Sequence, residues 1–135
     1  MLFLVISTIP HLFSILPLIK YYTKYTKHYI NIILLSTTFS ILYHAFDESN
    51  IIINFFDYFF ACIWFLYDLY MGYTYTNKKT LLQILIANIL VFLINIMIPY
   101  NLSYQLNHSL WHLINASKCF YVSNLISINL ATLNN

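Results

Sequence analysis

The feature that most constrains this chain is its shortage of charge: it has six Lys or Arg and four Asp or Glu residues among 135. A typical soluble domain is about 25% charged and about 45–50% apolar, whereas this chain is 7% charged and 61% hydrophobic. So few charged side chains cannot cover a water-facing surface. The composition excludes a soluble globular domain, a disordered tail and a basic nucleic-acid-binding protein. It predicts an integral, multi-pass membrane protein.

Five apolar stretches are long enough to cross a hydrocarbon core about 30 Å thick, which takes roughly 20 helical residues. They cover residues 2–19, 29–46, 51–71, 81–98 and 102–126. None of them shows the alternation of a strand, so we predict an all-α transmembrane bundle of about five helices, in a single domain over residues 1–135. The first stretch lacks a basic N-terminal region and a small-residue cleavage site, so we expect a retained helix and not a signal peptide.

The charges between the stretches predict an orientation. Lysines lie between the first and second stretches and between the third and fourth, and none lies in the other two connections. The second connection instead carries Asp47 and Glu48. Because lysine-bearing loops stay on the inner side of a membrane, we predict an N-terminus outside and a C-terminus inside.

Four ionisable residues from three predicted spans fall in the same outer part of the membrane. His44 ends the second span, Asp57 lies about two turns into the third, and His108 and His112 lie near the start of the fifth. Ionisable residues at membrane depth are costly, and they mark functional sites by default. The convergence follows from hydropathy and loop charge alone.

The spacing of these residues indicates metal chemistry. His108 and His112 are four residues apart and therefore project from one helix face. With His44 they make three imidazoles with room for water, the pattern of catalytic zinc. Ser40 shares a face with His44, and Asp57 is placed to act on a ligand or on the water. Hydrogen bonding between helices by the histidine pair, a bond from Ser40 to its own helix, and a packing role for Asp57 are the alternatives.

Other polar residues of the spans have simpler interpretations. We expect His11, beside Pro10, to pack, although it could also line a pocket. Asp68 is interpreted as an interfacial or inter-helix contact, and Lys118 as a side chain that reaches the interface or pairs inside the bundle. Cys62 and Cys119 are single thiols in apolar runs, which excludes a disulfide-rich scaffold.

At these residues the sequence resembles the CREST superfamily of membrane hydrolases. The likeness covers roughly residues 36–120, and it rests on three fragments in order: Ser40-Ile-Leu-Tyr-His-Ala-Phe-Asp47, Asp57-Tyr-Phe59 and His108-Ser-Leu-Trp-His112. The sequences of these fragments are most similar to those of the transmembrane protein 8/myomaker group, and next to those of the alkaline ceramidases.

The resemblance implies a zinc ion held by His44, His108 and His112, with Ser40 and Asp57 as the polar pair around the metal water. In the hydrolase members the substrate is a lipid amide or ester, such as the amide of a sphingolipid, so the implied partners are membrane lipids. In the myomaker branch the implied role is membrane remodelling or cell fusion without an established enzymatic activity.

The chain departs from this superfamily in helix number, because five spans are predicted where the family has seven. Loss of an even number keeps the last helix pointing the same way, so His108 and His112 stay on the side of His44. The missing helices would have walled the lipid pocket. The pocket is then open to lipid, or a homo-oligomer replaces the wall, or the chain is a degenerate relative.

Overall fold

The computed structural model describes residues 2–20, 24–46, 48–97 and 103–133. Over these ranges it contains helices and no strand, which confirms the all-α class. The five helical segments are α1 (Leu2–Ile19), α2 (Lys24–Ala45), α3 (Ile51–Tyr75), α4 (Lys78–Met97) and α5 (Tyr104–Leu133). Asp47 and residues 98–102, where the fourth predicted span ends and the fifth begins, lie outside the described residues.

Several helices run past the bounds that hydropathy predicts, because hydropathy marks only the apolar part of a helix. Helix α2 begins five residues before the predicted position 29, and α5 runs to Leu133 and not to 126. The starts of α3 and α4 are set by side-chain caps. The Asn50 side chain accepts hydrogen bonds from the backbone N–H groups of Ile52 and Ile53 at 3.0 and 3.2 Å. Asn77 accepts one from Thr80 at 2.9 Å.

Helix α1 changes its winding in the middle. Its α-helical turns give way to a 3₁₀ segment over Ile9–Ile15 and then resume over Leu16–Ile19. Pro10 stands at the start of that segment, where the missing N–H and the ring disfavour a continuous α-helix. The Nδ1 atom of His11 lies 2.9 Å from the carbonyl oxygen of Thr8. The carbonyl can only accept, so His11 donates from Nδ1.

The helices pack in a closed ring that follows chain order. Helix α1 contacts α2 and α5, α2 contacts α3, α3 contacts α4, and α4 contacts α5, with a further contact between α3 and α5. The ring encloses a cavity of about 740 Å³ that takes lining residues from all five helices. Five helices therefore wall a pocket without a second copy of the chain.

Burial in this structure is inverted relative to a soluble protein. Among the described residues, 15 polar or charged side chains are buried against 14 apolar ones, and 35 large apolar side chains are exposed. Buried polar groups and a broad apolar surface are the informative exceptions to ordinary burial. Two of the described helices, Leu2–Ile19 and Ile51–Tyr75, are long and apolar enough to cross a membrane.

A buried polar network joins four of the five helices at one end of the cavity. Asp68 of α3 is fully buried, and its carboxylate accepts hydrogen bonds from the Tyr29 hydroxyl of α2 and from Lys118 Nζ of α5, the latter at 3.1 Å. Lys118 Nζ also donates to Asn88 Oδ1 of α4 at 3.0 Å. The prediction that Asp68 makes an inter-helix contact and that Lys118 pairs inside the bundle is confirmed.

This pairing gives a prediction for stability. Removing one partner of a buried ion pair leaves an uncompensated charge, which costs about 3–5 kcal/mol. We expect Lys118→Met to lower the free energy of unfolding by an amount of this order. Thermal unfolding of the purified protein in detergent measures the loss.

The matched control is the double variant Lys118→Met, Asp68→Asn, which removes both charges. We expect it to recover most of the lost stability, because the introduced amide keeps an acceptor for Tyr29 without a buried charge. Equal destabilisation of the single and double variants would contradict an ion pair at this position.

Candidate metal centre

Three histidines meet where the last turn of α2 approaches the first turns of α5. The ring centroids of His44, His108 and His112 are 4.7 to 5.0 Å apart in each pair. Each ring offers one nitrogen, and the three nitrogens lie within 4.8 Å of one another. His44 and His112 are buried and His108 is half-buried. The structure thus brings together all three predicted ligands, and the group could hold a metal ion.

A carboxylate fixes the ring of His44. Glu48 Oε1 lies 2.8 Å from His44 Nδ1. Because a carboxylate only accepts, His44 carries its proton on Nδ1 and presents the lone pair of Nε2 to the other histidines. A ligand histidine whose second nitrogen donates to a carboxylate is the usual outer arrangement of a metal site, and it raises the basicity of the ligand.

Glu48 is itself held in an unusual way. It is the described non-glycine residue with a positive φ, 58°, a left-handed conformation that costs on the order of 1–3 kcal/mol and persists where the surroundings enforce it. Its backbone N–H donates to the carbonyl oxygen of Tyr43 at 3.1 Å, and its second carboxylate oxygen accepts from the Tyr104 hydroxyl at 2.7 Å. Tyr104 begins α5, so Glu48 links the end of α2 to the helix that carries the other two histidines.

The nitrogens facing each other need a shared cation or proton. His44 Nε2 and His112 Nε2 are 2.9 Å apart, and two lone pairs cannot face each other at this distance. Zinc ligands at 2.0–2.1 Å in a tetrahedron lie about 3.3 Å apart. This spacing lies between the 2.9 Å that separates His44 Nε2 from His112 Nε2 and the 4.8 Å within which all three histidine nitrogens lie. The other nitrogen of His112, Nδ1, is buried without a hydrogen-bond partner among the described residues. The donor set therefore fits a metal ion.

The predicted pair Ser40 and Asp57 also lies at the cavity. Both residues line it, as do His108 and His112. Ser40 is a side-chain hydrogen-bond partner of Asp57, and it joins α2 to α3. The Ser40 hydroxyl therefore pairs with the carboxylate of another helix, and this carboxylate lines the same cavity as two of the three histidines.

His11 comes closer to this group than its expected packing role. It lines the cavity, its ring meets the edge of His112 with centroids 5.7 Å apart, and its Nε2 lies 3.2 Å from Asn115 Nδ2. With Nδ1 donating to Thr8, Nε2 accepts from Asn115. Both ring nitrogens are thus engaged by the protein, so His11 is a wall residue and not a fourth ligand.

Sequence reasoning missed the role of Glu48, which it used only as a loop charge. The available signal is its spacing of four residues from His44, which would put the two side chains on one face of a helix that continued to residue 48. The helix ends at Ala45, so the contact depends instead on the left-handed backbone of Glu48. The extra turn of backbone at Phe46 and Glu48 carries the carboxylate back to His44.

No known protein-family model matches the chain, and neither a curated protein nor a solved structure shows significant similarity to it. The geometry of the centre is therefore the basis for assigning a function.

The contact between Glu48 and His44 predicts a loss of metal affinity on substitution. Outer partners of ligand histidines contribute about 10–100-fold to metal affinity. We expect Glu48→Gln to weaken zinc binding by roughly that factor, because an amide holds the protonated His44 Nδ1 less strongly than a carboxylate does. Competition with a chromogenic chelator measures the change.

Ser49→Ala is the matched control, since the Ser49 hydroxyl lies in the same turn and donates to the carbonyl oxygen of Phe46. We expect this variant to bind zinc like the unaltered protein. Unchanged zinc affinity in Glu48→Gln would show that the carboxylate does not support a ligand.

Proposed function

We propose that this protein is an integral membrane metalloenzyme that hydrolyses lipid amides or esters, in the manner of the CREST superfamily it resembles. The observation that carries the proposal is a single cavity that is lined by His108, His112 and Asp57, with His44 beside the two histidines. Metal ligands and a carboxylic acid beside one cavity are the components of metal-assisted hydrolysis.

The membrane location is supported by the inverted burial. Thirty-five large apolar side chains are exposed among the described residues, a surface that hydrocarbon solvates and water does not. Helices α2 and α5 also carry buried Ser, Thr and His side chains, several of which line the cavity. All five helices are proposed to cross the membrane, with the N-terminus outside.

The cavity favours a long apolar substrate. Its lining includes the apolar side chains of Ala61, Trp64, Phe65, Leu66, Val91 and Phe92. Several of these lining residues on α3 and α4 are exposed. The proposed mouth of the cavity therefore lies on the α3–α4 side, where a lipid would enter from the bilayer without crossing water.

Zinc is the metal proposed, because three imidazoles with an open position are typical of catalytic zinc, and when bound it supplies a water-derived nucleophile near neutral pH. His44 is oriented for this task by Glu48. Asp57, held by Ser40, passes a proton to the leaving amine or alcohol. In the net reaction water adds across the acyl bond, which yields a fatty acid and the amine or alcohol.

Catalysis gives the next prediction. Purified protein in nanodiscs is incubated with an N-acylsphingosine and with a lysophospholipid, and fatty acid release is measured. We expect Asp57→Asn to reduce release about 100-fold or more with metal content unchanged, because a general acid contributes on that order. We expect His112→Ala to lose both metal and activity.

Ser117→Ala is the control for these variants, because Ser117 is exposed on α5 and bonds the carbonyl of Leu113 in its own helix. It should behave like the unaltered protein. Purified protein that holds no stoichiometric metal would overturn the proposal. If the protein binds stoichiometric metal but releases no product from either lipid, the result would favour the non-enzymatic, myomaker-like role that the motif sequences imply.

The proposed topology is testable by labelling. Ser49 and His28 are exposed and lie at opposite ends of α2. We expect Ser49→Cys to react with an impermeant maleimide from outside intact cells and His28→Cys to react only after permeabilisation, with the unaltered protein as the control for Cys62. Labelling of both positions from the same side would contradict a membrane-spanning α2.

A further inference from the structure

The cavity has a second polar end, away from the histidines. Lys118 and Asn88 line it there, and the buried carboxylate of Asp68 lies behind Lys118. Along α5, Lys118 is six residues beyond His112 and ten beyond His108. At about 1.5 Å per residue, the two polar ends are roughly 9–15 Å apart. Asn115, which lies between His112 and Lys118 in the sequence, also lines the cavity, together with apolar side chains of α3 and α4.

One of the three N–H donors of the Lys118 ammonium group has only a weak partner. Two donors are taken by Asp68 Oδ2 and Asn88 Oδ1 at 3.1 and 3.0 Å. The remaining side-chain hydrogen-bond partner is the thiol of Cys119, a weak acceptor. Because Lys118 lines the cavity, an oxygen atom of a bound molecule would be a better partner than the thiol.

The net charge of Lys118 and Asp68 decides whether a charged or a neutral oxygen atom of a ligand binds at this end of the cavity. Asp68 balances Lys118, so the pair is neutral as a whole and offers no excess attraction for a carboxylate or a phosphate. An ion pair is also not needed here for stability, because apolar side chains of similar volume often stabilise a protein interior as well as a buried ion pair does. An ion pair at membrane depth that faces a cavity is by default a functional group.

We infer that Lys118 and Asn88 form a second subsite, which binds a neutral oxygen (a hydroxyl or a carbonyl) on the chain of the lipid whose acyl bond lies at the histidines. The inference rests on the proposed function and deepens it, because it names the substrate class: lipids with a polar group on the chain about 9–15 Å from the reacting bond. An unsubstituted chain would leave its methyl end against the ammonium.

Two probes that differ in one atom test this subsite. Dodecanohydroxamic acid carries a metal-binding head and a chain with an extended length of about 14 Å, and 12-hydroxydodecanohydroxamic acid adds only the terminal hydroxyl. We expect the unaltered protein to bind the hydroxylated probe roughly tenfold more tightly, because a hydrogen bond to a charged group exceeds the cost of burying the hydroxyl by about that factor. Isothermal titration in detergent measures both affinities.

The variant arm uses Lys118→Met, Asp68→Asn, which removes the charge without leaving Asp68 unpaired. We expect its preference to reverse, so that the methyl-ended probe binds more tightly. Ser117→Ala, next to Lys118 on the outer face of α5, should keep the preference of the unaltered protein. Equal affinities for the two probes in the unaltered protein, or the same preference in the double variant, would overturn the subsite.

The two proposals fail in different ways. Titrations are repeated on protein from which a chelator has removed the metal, where both affinities should fall and the preference for the hydroxylated probe should persist. If the purified protein binds no metal at all and still prefers the hydroxylated probe, the subsite stands and the metalloenzyme is overturned. Strong, metal-dependent binding with no preference between the probes would support the metalloenzyme and overturn the subsite.

Discussion

The constraint on which the rest of this structure depends is that ten charged side chains cannot face water over a surface made by 135 residues. The apolar side chains therefore cover the outside, and the polar ones must find partners inside. Many polar groups buried in the bundle are matched by a carbonyl of their own helix or by a side chain of another helix. The pairs Ser40 with Asp57 and Asp68 with Lys118 join different helices in this way.

These pairs also define the cavity. A polar interior cannot collapse like an apolar one, since its donors and acceptors fix distances between helices. The network of Asp68 holds α2, α3, α4 and α5 together at one end. The contact of Glu48 with His44 and Tyr104 holds α2 and α5 at the other. The cavity lies between these two attachments.

Much of the fold could be predicted, because hydropathy and loop charge depend on composition over about twenty residues and not on detail. The meeting of His44, His108 and His112 was predictable for the same reason: helix order and direction alone bring these positions to one level. Helix ends were less predictable, since they depend on single caps such as Asn50 and Asn77. Glu48 was missed because its position depends on a left-handed backbone just beyond a helix end, and no hydropathy pattern encodes that conformation.

The change of winding in α1 has a consequence for its length. An α-helix rises about 1.5 Å per residue and a 3₁₀ helix about 2.0 Å, so an 18-residue helix of α type alone is about 27 Å long. Seven of the 18 residues of α1 are in the 3₁₀ segment, which stretches the helix to about 30 Å. That is the thickness of a typical hydrocarbon core. The 3₁₀ segment that Pro10 opens thus lengthens a short helix to about this thickness.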